Sequence, residues 1–129
     1  MAKPSRILIV DDDDDGRSFV KELLESNGYA VSEARDGSAA LELLTSAPEP
    51  SLVILDLEMP VMSGDELLDA MRQRETLARL PVLIVSGSGK TVIPVGKPVV
   101  GFLPKPVDID ALAAKVRACL SESSDDAPS

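Results

Sequence analysis

The chain has no histidine, no tryptophan, a single cysteine and only 2% aromatic residues in 129 positions. Without histidine, histidine-based catalysis and histidine metal ligation are both excluded. Cys119 has no partner for an internal disulfide, and it is expected to pack as a small apolar residue on the last helix. With so few aromatics, the core must be built from aliphatic side chains. Basic residues are also scarce: 13 Lys and Arg against 22 Asp and Glu leave a net charge of −9. That balance argues against nucleic acid or an anionic membrane as a partner. No apolar run reaches membrane-spanning length, and residues 1–6 lack the apolar stretch of a signal peptide. A cytoplasmic setting is expected.

What is present is a set of short β-branched runs, each ending in a chemically useful residue. Arg6 to Val10 leads into Asp11-Asp12, and Leu52 to Leu55 into Asp56. Val82 to Val85 leads into Ser86, and Val100 to Pro104 into Lys105-Pro106. Such runs, bounded by turn residues, read as buried parallel strands. In an open parallel sheet, functional groups gather at the carboxyl ends of the strands. Three carboxylates, a hydroxyl and an ammonium would then meet on one edge, a combination suited to holding a divalent cation and accepting a phosphoryl group.

Helical patterns fill the intervals. Gly16 to Asn27 places Phe19, Val20, Leu23 and Leu24 on one stripe, with Gly28 as its stop. Tyr29 to Glu33 alternates and reads as the second strand. Asp36-Gly37 turns the chain, and Ser38 to Ser46 predicts a helix with Leu41 and Leu44 inward. Asp65 to about Leu77 predicts a third helix, burying Leu67, Leu68 and Met71. The last helix, capped by Asp108, is expected to run to about Leu120 with Ile109, Leu112, Val116 and Leu120 buried. Residues 1–120 make one domain, and residues 121–129 are expected to form a flexible acidic tail.

The ordered set Val10-Asp11-Asp12, Asp56 with Met59-Pro60 and Gly64, Ser86-Gly87 and Lys105-Pro106 resembles the receiver domains of two-component signalling, the CheY-like response regulators. The likeness covers residues 6 to about 120. It implies a flavodoxin-like, doubly wound sheet of five parallel strands in the order 2-1-3-4-5. It implies that Asp56 is the phosphoacceptor, taking a phosphoryl group from a phosphohistidine on a histidine kinase or histidine phosphotransfer protein. The metal would be Mg²⁺, with Mn²⁺ as a substitute, held by Asp12, Asp56 and the Glu58 backbone carbonyl, with Asp11 less directly engaged and acting nearer the waters around the ion. Lys105 would pair with the carboxylate and later with a phosphoryl oxygen, and Ser86 would bond another. Ser86 and Phe102 would form the switch, and a cis Lys105-Pro106 bond would aim the lysine. Such a protein catalyses its own phosphotransfer and dephosphorylation rather than turning over a substrate. No output domain follows residue 120, so a stand-alone receiver is expected, a monomer or weak dimer signalling to a downstream target protein.

Three other readings compete. Ser86-Gly87-Ser88-Gly89-Lys90-Thr91 imitates the end of a phosphate-binding loop, but Ile84 stands where its first glycine is required. Asp13-Asp14-Asp15-Gly16 matches the Asp-x-Asp-Gly form of an aspartate-nucleophile phosphatase, although Asp11 rather than Asp13 is at the strand tip. The bland reading of Asp13 to Asp15 is a solvated acidic loop. A degenerate receiver, acting as a phosphorylation-independent interaction module, would keep the fold and drop the chemistry. The largest departure from the family is the crossover after Ser86. Gly87, Gly89, Pro94, Gly96 and Pro98 make helix propensity poor there, so the family's fourth helix is expected to be missing or degenerate.

Overall fold

Each apolar run of the sequence becomes a strand. The computed structural model describes residues 5–46, 49–57, 59, 62–87 and 99–125. Within them, the order is β1 (Arg6–Val10), α1 (Asp14–Ser26), β2 (Ala30–Ala34), α2 (Gly37–Ser46), β3 (Leu52–Asp56), α3 (Gly64–Arg72), β4 (Val82–Ser86), β5 (Val99–Pro104) and α4 (Ile109–Asp125). A single 3₁₀ turn, Leu77–Arg79, separates α3 from β4. The strands form one parallel sheet in the order β2-β1-β3-β4-β5. The expected order 2-1-3-4-5 is thus observed. The expectation of a missing or degenerate helix in the crossover falls on residues 88–98, which lie outside the described residues.

Alternation along the strands divides the core in two. Leu8, Val10, Val53, Leu55, Val82 and Ile84 face one side, where Ala40 and Leu44 of α2 and Leu67, Leu68 and Met71 of α3 cover them. Ile7, Ile9, Leu52, Ile54, Leu83 and Val85 face the other, covered by Leu24 of α1 and by Leu112, Val116, Cys119 and Leu120 of α4. The three central strands are therefore apolar on both faces, as a parallel sheet between two helical layers requires. Because the core is aliphatic, truncating any of these leucines to alanine should cost about 2–5 kcal/mol.

Several details depart from the expectations. The helix α1 starts at Asp14, with Asp13 as its N-cap accepting a hydrogen bond from the Gly16 amide at 3.2 Å. Asp13 to Asp15 therefore cap and open a helix instead of forming a loop, and the negative charge suits the helix N-terminus. Phe19, near the middle of α1, is 48% exposed; Leu24 is the fully buried residue of that stripe. Ile109, the first residue of α4, is 44% exposed. Finally, α3 stops at Arg72 instead of continuing to Leu77. Continued helix would turn Leu77 about 120° away from Met71 and its buried face. The 3₁₀ turn instead delivers both Leu77 and Leu80 into the core.

At the other end of the chain α4 continues to Asp125, beyond the expected stop near Leu120. No glycine or proline interrupts residues 121–125, and Pro128 is the first breaker. Gly28, at φ +93°, follows the end of α1 in the stop position expected of it.

Candidate functional site

Parallel register decides what meets at the carboxyl edge. Val10 pairs with Leu55, so Asp11 and Asp12, just past the end of β1, come level with Asp56 at the end of β3. One carboxylate oxygen from each of Asp11, Asp12 and Asp56 lies within 4.8 Å of the others. Asp56 itself pairs with Val85, which brings Ser86, the last residue of β4, to the next place along the edge. Both are buried, Asp56 at 6% and Ser86 at 5% exposure, whereas Asp12 is exposed.

Lys105 follows β5, and its amide donates to the Ser86 carbonyl at 3.0 Å. Its Nζ donates to Asp11 Oδ2 at 3.0 Å and to Asp56 Oδ2 at 3.3 Å. The pairing with Asp56 was expected; the shorter contact to Asp11 was not. Burial opposes the charge on Lys105, but the hydrogen bond to Asp11 and the charges of Asp11 and Asp56 outweigh it. The ammonium is held above its usual range. The Lys105–Pro106 peptide is cis. Gly87 makes the lysine's position possible, because a Cβ there would lie 2.6 Å from the Cβ of Lys105.

Ser86 Oγ is buried with no hydrogen-bond partner among the described residues. A buried hydroxyl without a partner is unusual, since such a group forfeits its hydration. A serine hydroxyl can both donate and accept. Phe102, the other expected switch residue, is exposed on β5 at the register position of Ile84, two places short of Ser86. Glu58 lies outside the described residues, as do Gly89 and Lys90 of the phosphate-loop rival. The phosphatase rival needs Asp13 as a nucleophile, but its carboxylate caps α1.

An all-oxygen, anionic donor set suits a hard divalent cation such as Mg²⁺ or Mn²⁺ more than a softer metal. Asp11, Asp12 and Asp56 fit that requirement. A cavity of about 310 Å³ opens beside them, its lining including Asp11, Asp56 and Lys105 together with the apolar Phe19, Val20 and Leu112.

Arg17 escaped the sequence reading. It reaches back from α1 to donate to the Asp11 carbonyl at 2.7 Å, while also contacting Glu33 and Asp14. Only its place at the start of the helix that follows the acidic pair, with an acidic residue on the neighbouring strand, could have signalled this.

The sequence pattern of the response regulator receiver domain matches residues 7–117. The chain is 40% identical over 119 residues to the sensor histidine kinase TmoS of Ectopseudomonas mendocina, covering 90% of this chain and 12% of the kinase. It is 38% identical over 122 residues to the transcriptional regulatory protein CpxR of Escherichia coli K12, covering 92% of this chain and 50% of that protein. The chain thus spans about half the length of that regulator and a small part of the kinase. Among solved structures, the CheY-like receiver domain protein from Methanospirillum hungatei superposes with a TM-score of 0.86 at 27% identity, over 95% of this chain and 98% of that one.

Proposed function

The chain belongs to the response regulator receiver domain family of two-component signalling, and we propose that it takes a phosphoryl group onto Asp56 from a phosphohistidine. The donor would be a histidine kinase or a histidine phosphotransfer protein. The observation that carries this reading is the orphaned Ser86 hydroxyl beside a buried, lysine-paired carboxylate. In a degenerate receiver, nothing would compensate the cost of keeping that hydroxyl buried and unbonded.

In the proposed reaction an Asp56 carboxylate oxygen attacks phosphorus. The phosphorus–nitrogen bond to the donor imidazole breaks as the new phosphorus–oxygen bond forms, and the imidazole leaves with its electron pair and takes a proton. A carboxylate attacks an anionic phosphoryl group only if charge is neutralised, so catalysis is mainly positioning and electrostatics. Mg²⁺ held by Asp11, Asp12 and Asp56, with the Glu58 carbonyl that the family resemblance adds, would supply that neutralisation when bound. Lys105 already sits against Asp56 at 3.3 Å, and its ammonium would shift from the carboxylate to a phosphoryl oxygen. Ser86 Oγ would donate to a second phosphoryl oxygen, gaining the partner it lacks.

Output would follow through phosphorylation-dependent protein binding or onward relay, in a cytoplasmic setting. Phe102 would be the switch residue linking Ser86 to that surface. Among the described residues, no helix is long and apolar enough to cross a membrane. The test is transfer from a histidine kinase labelled with radioactive phosphate. Label should reach the wild-type chain with Mg²⁺ present and stay on the kinase with EDTA. Transfer that ignores both Mg²⁺ and Asp56 would overturn the reading.

A further inference from the structure

We infer that Arg17 is a positioning residue for the metal site, fixing the aim of the Asp12 carboxylate through the Asp11 carbonyl. The inference rests on the reading of Asp11, Asp12 and Asp56 as a cation site, and its test separates the two.

Asp12 is exposed, and among the described residues its carboxylate has no hydrogen-bond partner. Its direction is therefore set by the backbone that leads into it. That backbone is tightly held on the Asp11 side. The Asp11 amide donates to the Ala34 carbonyl at 3.1 Å. Asp11 Oδ1 accepts from the Asp13 amide at 2.9 Å, and Oδ2 accepts from Lys105 at 3.0 Å. What remains is the peptide plane joining Asp11 to Asp12, and Arg17 Nη1 holds its carbonyl oxygen at 2.7 Å.

The arginine is itself braced. Its side chain is only 14% exposed, with Nε on Glu33 Oε1 at 3.1 Å and Nη2 on Asp14 Oδ1 at 2.6 Å. Lys21 Nζ lies 3.7 Å from the other Glu33 oxygen. Three nitrogens of one planar group thus tie the loop after β1 to the end of β2 and to the first turn of α1. A lysine, with a single point of charge on a flexible stem, cannot reproduce that fork.

Charge and positioning predict opposite signs for the loss of Arg17. Removing a cation frees Glu33 and Asp14, makes the region more negative, and on charge alone should tighten divalent binding. Removing the hydrogen bond lets the peptide plane rotate and the Asp12 carboxylate swing, which should weaken it. Outer-shell partners of metal ligands are typically worth about 10- to 100-fold in affinity.

The experiment is calorimetric titration of MgCl2 into the wild-type chain, Arg17→Gln and Arg17→Lys, with urea denaturation of each in EDTA. The expected result is at least a tenfold rise in the Mg²⁺ dissociation constant for both variants, on the order of the outer-shell effect. In metal-free protein, the Asp13 amide, which donates to Asp11 Oδ1, should exchange hydrogen faster in both variants, while amides of β1 and β3 keep their protection. A dissociation constant unchanged or lowered in a folded variant would overturn the inference, whatever its stability. Arg17→Lys, which keeps a cation against Glu33, decides the matter if Arg17→Gln does not fold. A wild-type chain that binds no Mg²⁺ would overturn the metal-site reading instead, and unchanged amide exchange would then overturn the positioning role as well.

Discussion

Replacing Ser86 with alanine should stabilise the free protein and impair the phosphorylated one. In the free state Ser86 Oγ is buried and makes no hydrogen bond among the described residues. A buried polar group left unsatisfied costs about 1–3 kcal/mol, and removing it recovers that cost less the lost packing of one atom. A gain of about 1 kcal/mol is expected, raising Tm by roughly 3–5 °C for a domain of this size. The sign reverses once a phosphoryl oxygen is present to accept from the hydroxyl. A hydrogen bond to a charged group contributes about 1.5–3 kcal/mol, so its loss should slow phosphorylation roughly 10- to 100-fold. Urea denaturation in EDTA, followed by far-UV circular dichroism, reads the first effect. Single-turnover phosphorylation by acetyl phosphate with Mg²⁺ reads the second. A free Ser86→Ala protein destabilised by 1 kcal/mol or more would show that the hydroxyl is already bonded, and the reasoning would fail. So would an undiminished phosphorylation rate.

Lys105→Ala removes the cation between Asp11 and Asp56. Part of that lysine is solvated, so about 1–3 kcal/mol of stability should be lost in EDTA rather than the full cost of breaking a buried pair. MgCl2 should restore most of it, by replacing the missing positive charge; a variant as stable as wild type in EDTA would refute the pairing. Asp12→Ala removes an exposed carboxylate, so metal-free stability should stay close to wild type. The wild-type chain should gain about 2.7 kcal/mol when Mg²⁺ reaches one hundred times its dissociation constant, and the variant should not. An unchanged thermal response to Mg²⁺ would exclude Asp12 as a ligand.

The sheet was legible because β1, β3 and β4 are short, β-branched and apolar on both faces, and each ends where its chemistry begins. Side-chain burial along the helices was less legible. Phe19 and Ile109 fit the spacing of an apolar stripe, but spacing alone does not say which residues of a stripe are covered. The end of α3 was invisible to propensity, because residues 73–76 tolerate helix and only the burial of Leu77 and Leu80 ends it. At the site, strand ends gave Asp11, Asp12, Asp56, Ser86 and Lys105 from sequence alone. They did not give the partner of Lys105 nearest in space, because Asp11 lies 94 positions away and the choice between two carboxylates is a matter of ångströms. Arg17 stayed hidden for a related reason: a helical arginine usually points to solvent, and only the fold turns this one inward.

The central claim is that Asp56 accepts the phosphoryl group. Intact-protein mass spectrometry after incubation with Mg²⁺ and acetyl phosphate tests it most directly, with the wild-type chain and Asp56→Asn side by side. The wild type should carry one phosphoryl group, stable in acid and lost in base, and the variant should carry none. The same adduct on Asp56→Asn, or a wild-type chain that remains unmodified, would contradict the account.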